Sequence, residues 1–285
     1  LVTIESCDEY SDDTVIRFLN AFKDILVGML NCDVLSEINY ISSDDILLLD
    51  SYNRTEHDLI YADILDAFND HLSGCLDSAL VSMDDRVYSY GEGAFIADRI
   101  AKSLIGSGVG AGDCVAFLVP RSELYMFCVL GILSCGGVYV PLDDDLPDER
   151  LKFMLEDTES KVVVVSDDTY RRAESLINND EDDVVLLNIS NVINGDIVSL
   201  SSLPVVYGDL ACILYTSGTK GVKITRKSLI NVSENYIEKY SLDENDVYGL
   251  YSTIGFDMSA FVINVVIAAG ACLAVIPDEI KLDML

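Results

Sequence analysis

"LYTSGTKGVKITRKSLIN", residues Leu214 to Asn231, sets Thr216, Ser217, Gly218, Thr219, Lys220 and Gly221 between an apolar run and a polar, helix-like segment. Glycine frees backbone amides, small hydroxyls add donors, and the lysine adds positive charge. Such a loop suits the oxygens of a polyphosphate. An ordinary Ser/Gly turn between strand and helix has the same composition and needs no ligand, so the reading depends on what surrounds it. The stretch is not a Walker loop, because G-x-x-x-x-G-K-[ST] cannot be threaded through "GTKG".

On both sides the chain alternates apolar helices, glycine stops and short apolar strands. "ELYMFCVLGILSCGGVYVPL" and "SAFVINVVIAAGACLAVIP" each read as helix, stop and strand, and "CVAFLVP" and "KVVVVS" read as buried strands. Continuous β-branched runs separated by helices predict α/β architecture, with mostly parallel sheets covered on both faces. "GSGVGAGD" at Gly106–Asp113 lacks G-x-G-x-x-G spacing and follows the helix "FIADRIAKSLI", so it reads as a helix stop and turn. "AFVINVVIAAGACLAVI" (Ala260–Ile276) contains Asn264 and Gly270 and falls short of the roughly 20 residues of a spanning helix. A buried helix followed by a buried strand fits it.

The 285 residues carry 49 acidic against 18 basic side chains and are half hydrophobic. That length allows about two domains with real cores, and the charge excludes a nucleic-acid partner. Clusters such as Asp143–Asp145 and Asp180–Asp183 read as solvated surface. Eight cysteines form no CxxC pair, and several sit in apolar runs as small hydrophobes, which points to a reduced, cytoplasmic setting without membrane association. His57 and His71, the two histidines, have no cysteine at ligand spacing, so no metal site is expected from protein ligands; both read as exposed linker or surface residues.

Near the start, "DDTVIRFLNAFKDILVGML" spaces Val15, Phe18, Leu19, Phe22, Ile25, Leu26 and Met29 as one face of a helix with Asp in its first turn. "ISSDDILLLDSYNRTEHD" carries no strong period, which predicts a linker near Leu49–His57. The opening lacks both Met and a basic, apolar signal segment, and the expectation is a piece of a longer protein.

Four stretches, in order, resemble the adenylate-forming superfamily, most closely the adenylation domains of nonribosomal peptide synthetases. "YSYGEGAFIADRIAKSLIGSGVGAGDCVAFLVPRS" (Tyr88–Ser122) resembles the opening helix and strand. "ILSCGGVYVPLDDDLPDERLKFMLEDT" (Ile132–Thr158) is similar to the family's Tyr-Val-Pro-Leu-Asp strand and Pro-x-x-Arg helix. "LYTSGTKGV" resembles the Thr-Ser-Gly-Thr loop, and "GFDMSAF" (Gly255–Phe261) resembles the Phe-Asp-x-Ser motif.

The resemblance divides the chain into 1–50, similar to the C-terminal tail of a condensation domain, a linker at 51–57, and the N-terminal part of an adenylation domain at 58–285. It implies that an amino acid is activated with ATP and Mg2+ to aminoacyl-AMP and loaded onto a phosphopantetheine-bearing carrier domain. Neighbouring condensation and carrier domains would be the partners. Thr216, Ser217, Gly218, Thr219, Lys220 and Gly221 would hold phosphate. Asp257 would pair with the substrate ammonium, its bland alternative being a helix N-cap, and Met258 and Phe261 would line the side-chain pocket unless they are plain core residues. Tyr139, Pro141 and Asp143 read as structural.

Departures bear on activity. The family loop runs Thr-Ser-Gly-Thr-Thr-Gly-x-Pro-Lys-Gly-Val, so "TSGTKGV" lacks four residues between Thr219 and Lys220, and Arg226 stands where the family often has His. A second alignment sets Lys220 on the second Thr but spoils the match of "VKITRKSLIN" to the following helix. The Tyr-Gly-Pro-Thr-Glu loop, the ribose-binding Asp and the C-terminal Lys are not among these residues, nor is the condensation motif His-His-x-x-x-Asp-Gly. These residues alone are therefore expected to be inactive, with no catalytic residue assigned. A ligase forming coenzyme A thioesters and a degenerate, non-catalytic scaffold module stay open beside the adenylating enzyme.

Overall fold

The computed structural model describes residues 3–5, 9–177, 184–194, 200, 202–216, 218 and 220–281. The chain divides into two compact units, Leu1–Asp58 and Leu59–Leu285.

The first unit contains helices α1 (Asp12–Asn31) and α2 (Ser43–Tyr52). Ser11 caps α1 by accepting the Thr14 N–H, and Asp12 and Asp13 occupy its first turn, as the sequence pattern predicts. Of the linker expected at Leu49–His57, positions 49–52 are the end of α2, a correction, while residues 53–57 form neither helix nor strand. Ser42 accepts the Asp45 N–H, and Asp44 and Asp45 complement the helix dipole, so capping supplies what the missing apolar period does not.

The second unit opens with α3 (Ile64–Gly74), β1 (Ala79–Met83), β2 (Arg86–Ser89), α4 (Tyr90–Gly106), β3 (Cys114–Leu118), α5 (Leu124–Ser134), β4 (Val138–Pro141) and α6 (Asp148–Thr158). It continues through β5 (Val162–Val165), α7 (Tyr170–Leu176), β6 (Val185–Asn188), α8 (Ile189–Ile193), β7 (Leu210–Tyr215), β8 (Gly221–Thr225) and α9 (Arg226–Tyr240). The last elements are β9 (Val247–Leu250), α10 (Asp257–Ala269), β10 (Cys272–Val275) and α11 (Asp278–Lys281).

The strands form two mixed sheets, ordered β2-β1-β10-β9 and β6-β5-β3-β4-β7-β8. All pairings are parallel except the edge hairpins β1–β2 and β7–β8. The larger sheet is buried on both faces: Val115, Phe117, Val162 and Val164 join one core, while Ala116, Leu118, Val163 and Val165 join the other with α6 and α7 residues. That double burial explains strands written as unbroken apolar runs. Helix α5 has no polar face, and every residue from Tyr125 to Ser134 is buried.

The polar segment after the glycine-rich loop is not wholly helical. Residues 221–225 are strand β8, because Val222, Ile224 and Thr225 favour a pleat, and Thr225 then caps α9 by accepting the Ser228 N–H. The window from Ala260 to Ile276 is the expected helix, stop and strand, with Gly270 at φ +72° closing α10. A methyl group there would lie 2.6 Å from His71 Nδ1. His71 is half-buried, its Nε2 2.8 Å from the Ala268 carbonyl, which corrects the exposed reading; His57 is exposed. Cys128, Cys135, Cys212 and Cys272 are free and buried. Asp180–Asp183 lies outside the described residues. Asp143 and Asp144 are half-buried rather than fully solvated. Among the described residues no helix is long and apolar enough to cross a membrane.

Candidate functional site

In parallel α/β sheets the carboxyl ends of the strands are where loops gather around ligands. The glycine-rich loop leaves β7 at such an end and returns at once as β8. Tyr215 pairs with Gly221, so five residues, 216–220, make the connection. A methyl group on Gly221 would lie 2.7 Å from Ile213 Cγ2 and 3.0 Å from Tyr215 Cζ, so glycine is required there for close strand packing. A methyl group on Gly218 would find space, with Thr216 Oγ1 at 4.0 Å.

Arg150, the arginine of "PDER", anchors this loop. Its Nη2 donates to the carbonyls of Thr216 (3.2 Å) and Gly218 (2.5 Å). Its guanidinium lies 5.3 Å from the Tyr215 ring centre and 5.5 Å from that of Phe153. Tyr215 donates its hydroxyl to Asp157, and burial together with that carboxylate raises the tyrosine's pKa. Four of the chain's 18 basic residues fall between 220 and 227. Arg226 is buried, whereas Lys220, Lys223 and Lys227 are exposed and form no ion pair among the described residues. Exposed amides, a hydroxyl and unpaired ammonium groups are a donor set that fits an anionic phosphate. No group of three or more His, Cys, Asp and Glu residues suited to a metal ion occurs among the described residues.

The second arm follows the carboxyl end of β9. Residues 251–256 lead to Asp257, the first residue of α10. Phe256 holds the N-cap position, so Asp257 is not the cap; its exposed carboxylate accepts the Met258 N–H at 2.8 Å. Met258 is exposed too. Phe261 is half-buried and packs edge-on to Tyr236 of α9, ring centres 4.9 Å apart. Tyr248 of β9 also packs edge-on to Tyr236, ring centres 6.3 Å apart, and burial with a hydrogen bond to Tyr236 pushes its pKa up to about 12. The segment meets the larger sheet as well: a methyl group on Gly255 would lie 3.7 Å from Asp143 Cβ.

Thr216, Gly218, Lys220 and Gly221 thus share one hairpin end, and Asp257, Met258 and Phe261 share the first turns of one helix. Ser217 and Thr219 lie outside the described residues. Residue-by-residue reading missed Arg150 and Arg121. The first had a signal in the Pro-x-x-Arg helix motif, three residues after Pro147; the second had only "VPRS" at the end of a strand.

The family described as AMP-binding enzyme matches residues 74–285. Over 96% of its length the chain is 29% identical to bacitracin synthase 1 of Bacillus licheniformis, of which it covers 5%. It is also 29% identical to gramicidin S synthase 2 of Brevibacillus brevis, over 99% of this chain and 6% of that one. The chain therefore spans only a small fraction of the length of these relatives. Among solved structures, the nonribosomal peptide synthetase FmoA3 superposes with a TM-score of 0.78 at 23% identity, covering 94% of this chain and 29% of that one. A holo four-domain nonribosomal peptide synthetase bound to AMP and glycine gives 0.74 at 24%, covering 96% and 21%. Identities this low show the shared fold alone, but the family match spans most of the second unit, and the chain belongs to the AMP-binding enzyme family.

Proposed function

We propose that these residues form the nucleotide- and amino-acid-binding portion of an adenylating module of a nonribosomal peptide synthetase. A carboxylate oxygen of the amino acid attacks the α-phosphorus of ATP, the bond to the bridging oxygen breaks, and pyrophosphate leaves with its electron pair. The phosphopantetheine thiol of a carrier domain then attacks the carbonyl carbon of the aminoacyl-AMP, losing its proton, the bond from that carbon to the phosphate oxygen breaks, and AMP leaves with the electron pair as the thioester forms. Amides, hydroxyls and Lys220 of the loop would bind the β and γ phosphates, with Mg2+ arriving on the nucleotide. Asp257 would bind the α-ammonium, and Met258 and Phe261 would face the side chain. Residues 1–50 would be the tail of a condensation domain and 51–57 its linker, a reading supported by relatives that match nearly the whole chain.

One observation carries the proposal. A cationic loop in a chain of net charge −31 and an exposed carboxylate at a helix start both follow carboxyl ends of parallel strands. Amino-acid-dependent exchange of labelled pyrophosphate into ATP, measured on the longest natural chain containing these residues, tests it. Exchange with one or a few amino acids supports the reading. ATP binding without exchange overturns it in favour of the degenerate scaffold, which the five-residue loop favours, and acyl-dependent exchange without amino-acid preference favours a coenzyme A ligase.

A further inference from the structure

Arginine has five N–H donors in a rigid planar fork, and burying it is costly for each donor that lacks an acceptor, as the Nε of buried Arg226 does among the described residues. Arg121, just beyond the end of β3, has an acceptor for all five. Nη1 donates to the carbonyls of Leu250 (2.8 Å) and Ile276 (3.4 Å), Nη2 to those of Tyr251 (3.1 Å) and Ser252 (2.5 Å), and Nε lies 3.1 Å from Asp278 Oδ1. The side chain is 7% exposed. One cation from the larger sheet thus gathers the carbonyls at the carboxyl ends of β9 and β10 in the smaller one.

Three of those carbonyls, of Leu250, Tyr251 and Ser252, begin the segment that ends at Asp257. Its far end is also fixed: Ser259 Oγ donates to the carbonyls of Ile254 (2.7 Å) and Phe256 (2.6 Å). Between these two anchors Gly255 packs on Asp143. Asp257 itself is exposed, so the position of its carboxylate is set by backbone held at 250–252 and 254–256.

We propose that Arg121 is a positioning residue for the amino-acid subsite, fixing the 251–256 backbone that presents Asp257. The proposal rests on the adenylating reading above. A lysine keeps the charge but offers three donors on a flexible stem, too few for this fork.

The test compares wild type with Arg121→Lys in the longest natural chain containing these residues. Hydrogen–deuterium exchange of amides 251–256 should quicken at least tenfold, with α4 and α5 unchanged. In pyrophosphate exchange, the amino-acid KM should rise at least tenfold and the ATP KM should move less than twofold. Unchanged exchange at 251–256 in a folded variant overturns the proposal, as does an equal rise in both KM values. If Arg121→Lys does not fold, Asp278→Asn loosens the fork and must shift both readouts the same way; no shift there overturns it. A wild type without amino-acid-dependent activity sinks the adenylating function, yet faster exchange at 251–256 would still support Arg121 as holder of this segment, so the two failures are told apart.

Discussion

Arg226, the first residue of α9, pairs with Asp63 at the start of α3: Nη1 lies 3.3 Å from Oδ2, and the side chains are 2% and 4% exposed. Nη2 of the same arginine donates to the Leu133 carbonyl at 2.5 Å, and its backbone N–H bonds the Asp209 carbonyl, so the exit of the glycine-rich hairpin is tied to three elements. Removing one partner of a buried pair strands the other charge. Asp63→Ala should cost about 3–5 kcal/mol by urea unfolding. Asp63 Oδ1 also caps α3 through the Leu65 N–H. Asp63→Asn keeps that cap, so its loss isolates the charge. A loss below about 1 kcal/mol, the size of a cap alone, would mean the ion pair is not what holds the hairpin exit.

Two carboxylates should move stability with pH in opposite senses. Burial and the neighbouring Asp143 raise the Asp144 pKa. Its folded value lies above its unfolded one, so stability is lost as pH rises through the folded pKa, and the charged form is unfavourable at neutral pH. Asp144→Asn should raise the unfolding midpoint at pH 7 and leave it unchanged near pH 3. Asp113 is the reverse case. The Gly110 N–H and then Lys161 hold it low, so its contribution is present above the unfolded pKa and lost as pH falls through the folded one. Asp113→Asn should lower the midpoint at pH 7 but not at the acid end. Midpoints that shift equally at both pH values would refute either assignment.

The core elements were legible because burial on both faces leaves a plain record. "KVVVVS" can satisfy two cores only as a central strand, and α5 is apolar all round because it is covered all round. Edge elements were not legible. Strand β8 carries Lys223 among Val222 and Ile224 and reads as helix until its pairing with β7 is known. Helix α2 is set by Ser42 and two aspartates rather than by apolar spacing. For the site, loop and helix-start motifs announce themselves locally. Arg150 and Arg121 act on carbonyls 66 or more residues away, and no local pattern encodes such a partner.

Asp257 is exposed and makes no cap, so its loss should spare the fold. If it binds the substrate ammonium, Asp257→Ala removes a charged hydrogen bond of roughly 1.5–3 kcal/mol. The expected result, in the longest natural chain, is loss of amino-acid-dependent pyrophosphate exchange at ordinary substrate concentrations with an unfolding midpoint close to wild type. Undiminished exchange would leave Asp257 as no more than a favourable charge at a helix start.

The hairpin joining Tyr215 to Gly221 sets a harder limit on nucleotide binding. Relative to the Thr-Ser-Gly-Thr-Thr-Gly-x-Pro-Lys-Gly-Val pattern, four missing residues are about 13 Å of extended backbone, and at least one glycine amide goes with them. Of what remains, the Thr216 and Gly218 carbonyls are drawn to Arg150, and Gly221 is committed to strand packing. Fewer amides than in that pattern remain to close over a β or γ phosphate, where each charge-assisted hydrogen bond is worth roughly 1.5–3 kcal/mol. Inserting Thr-Gly-Lys-Pro between Thr219 and Lys220 should therefore raise ATP affinity at least tenfold, about 1.4 kcal/mol, by calorimetry on the longest natural chain. Arg150→Ala, which frees the two carbonyls and removes a cation, should weaken binding in both backgrounds. Equal ATP affinity with and without the insertion would make the short hairpin a working phosphate loop, held in shape by Arg150, and would remove the main support for the scaffold reading.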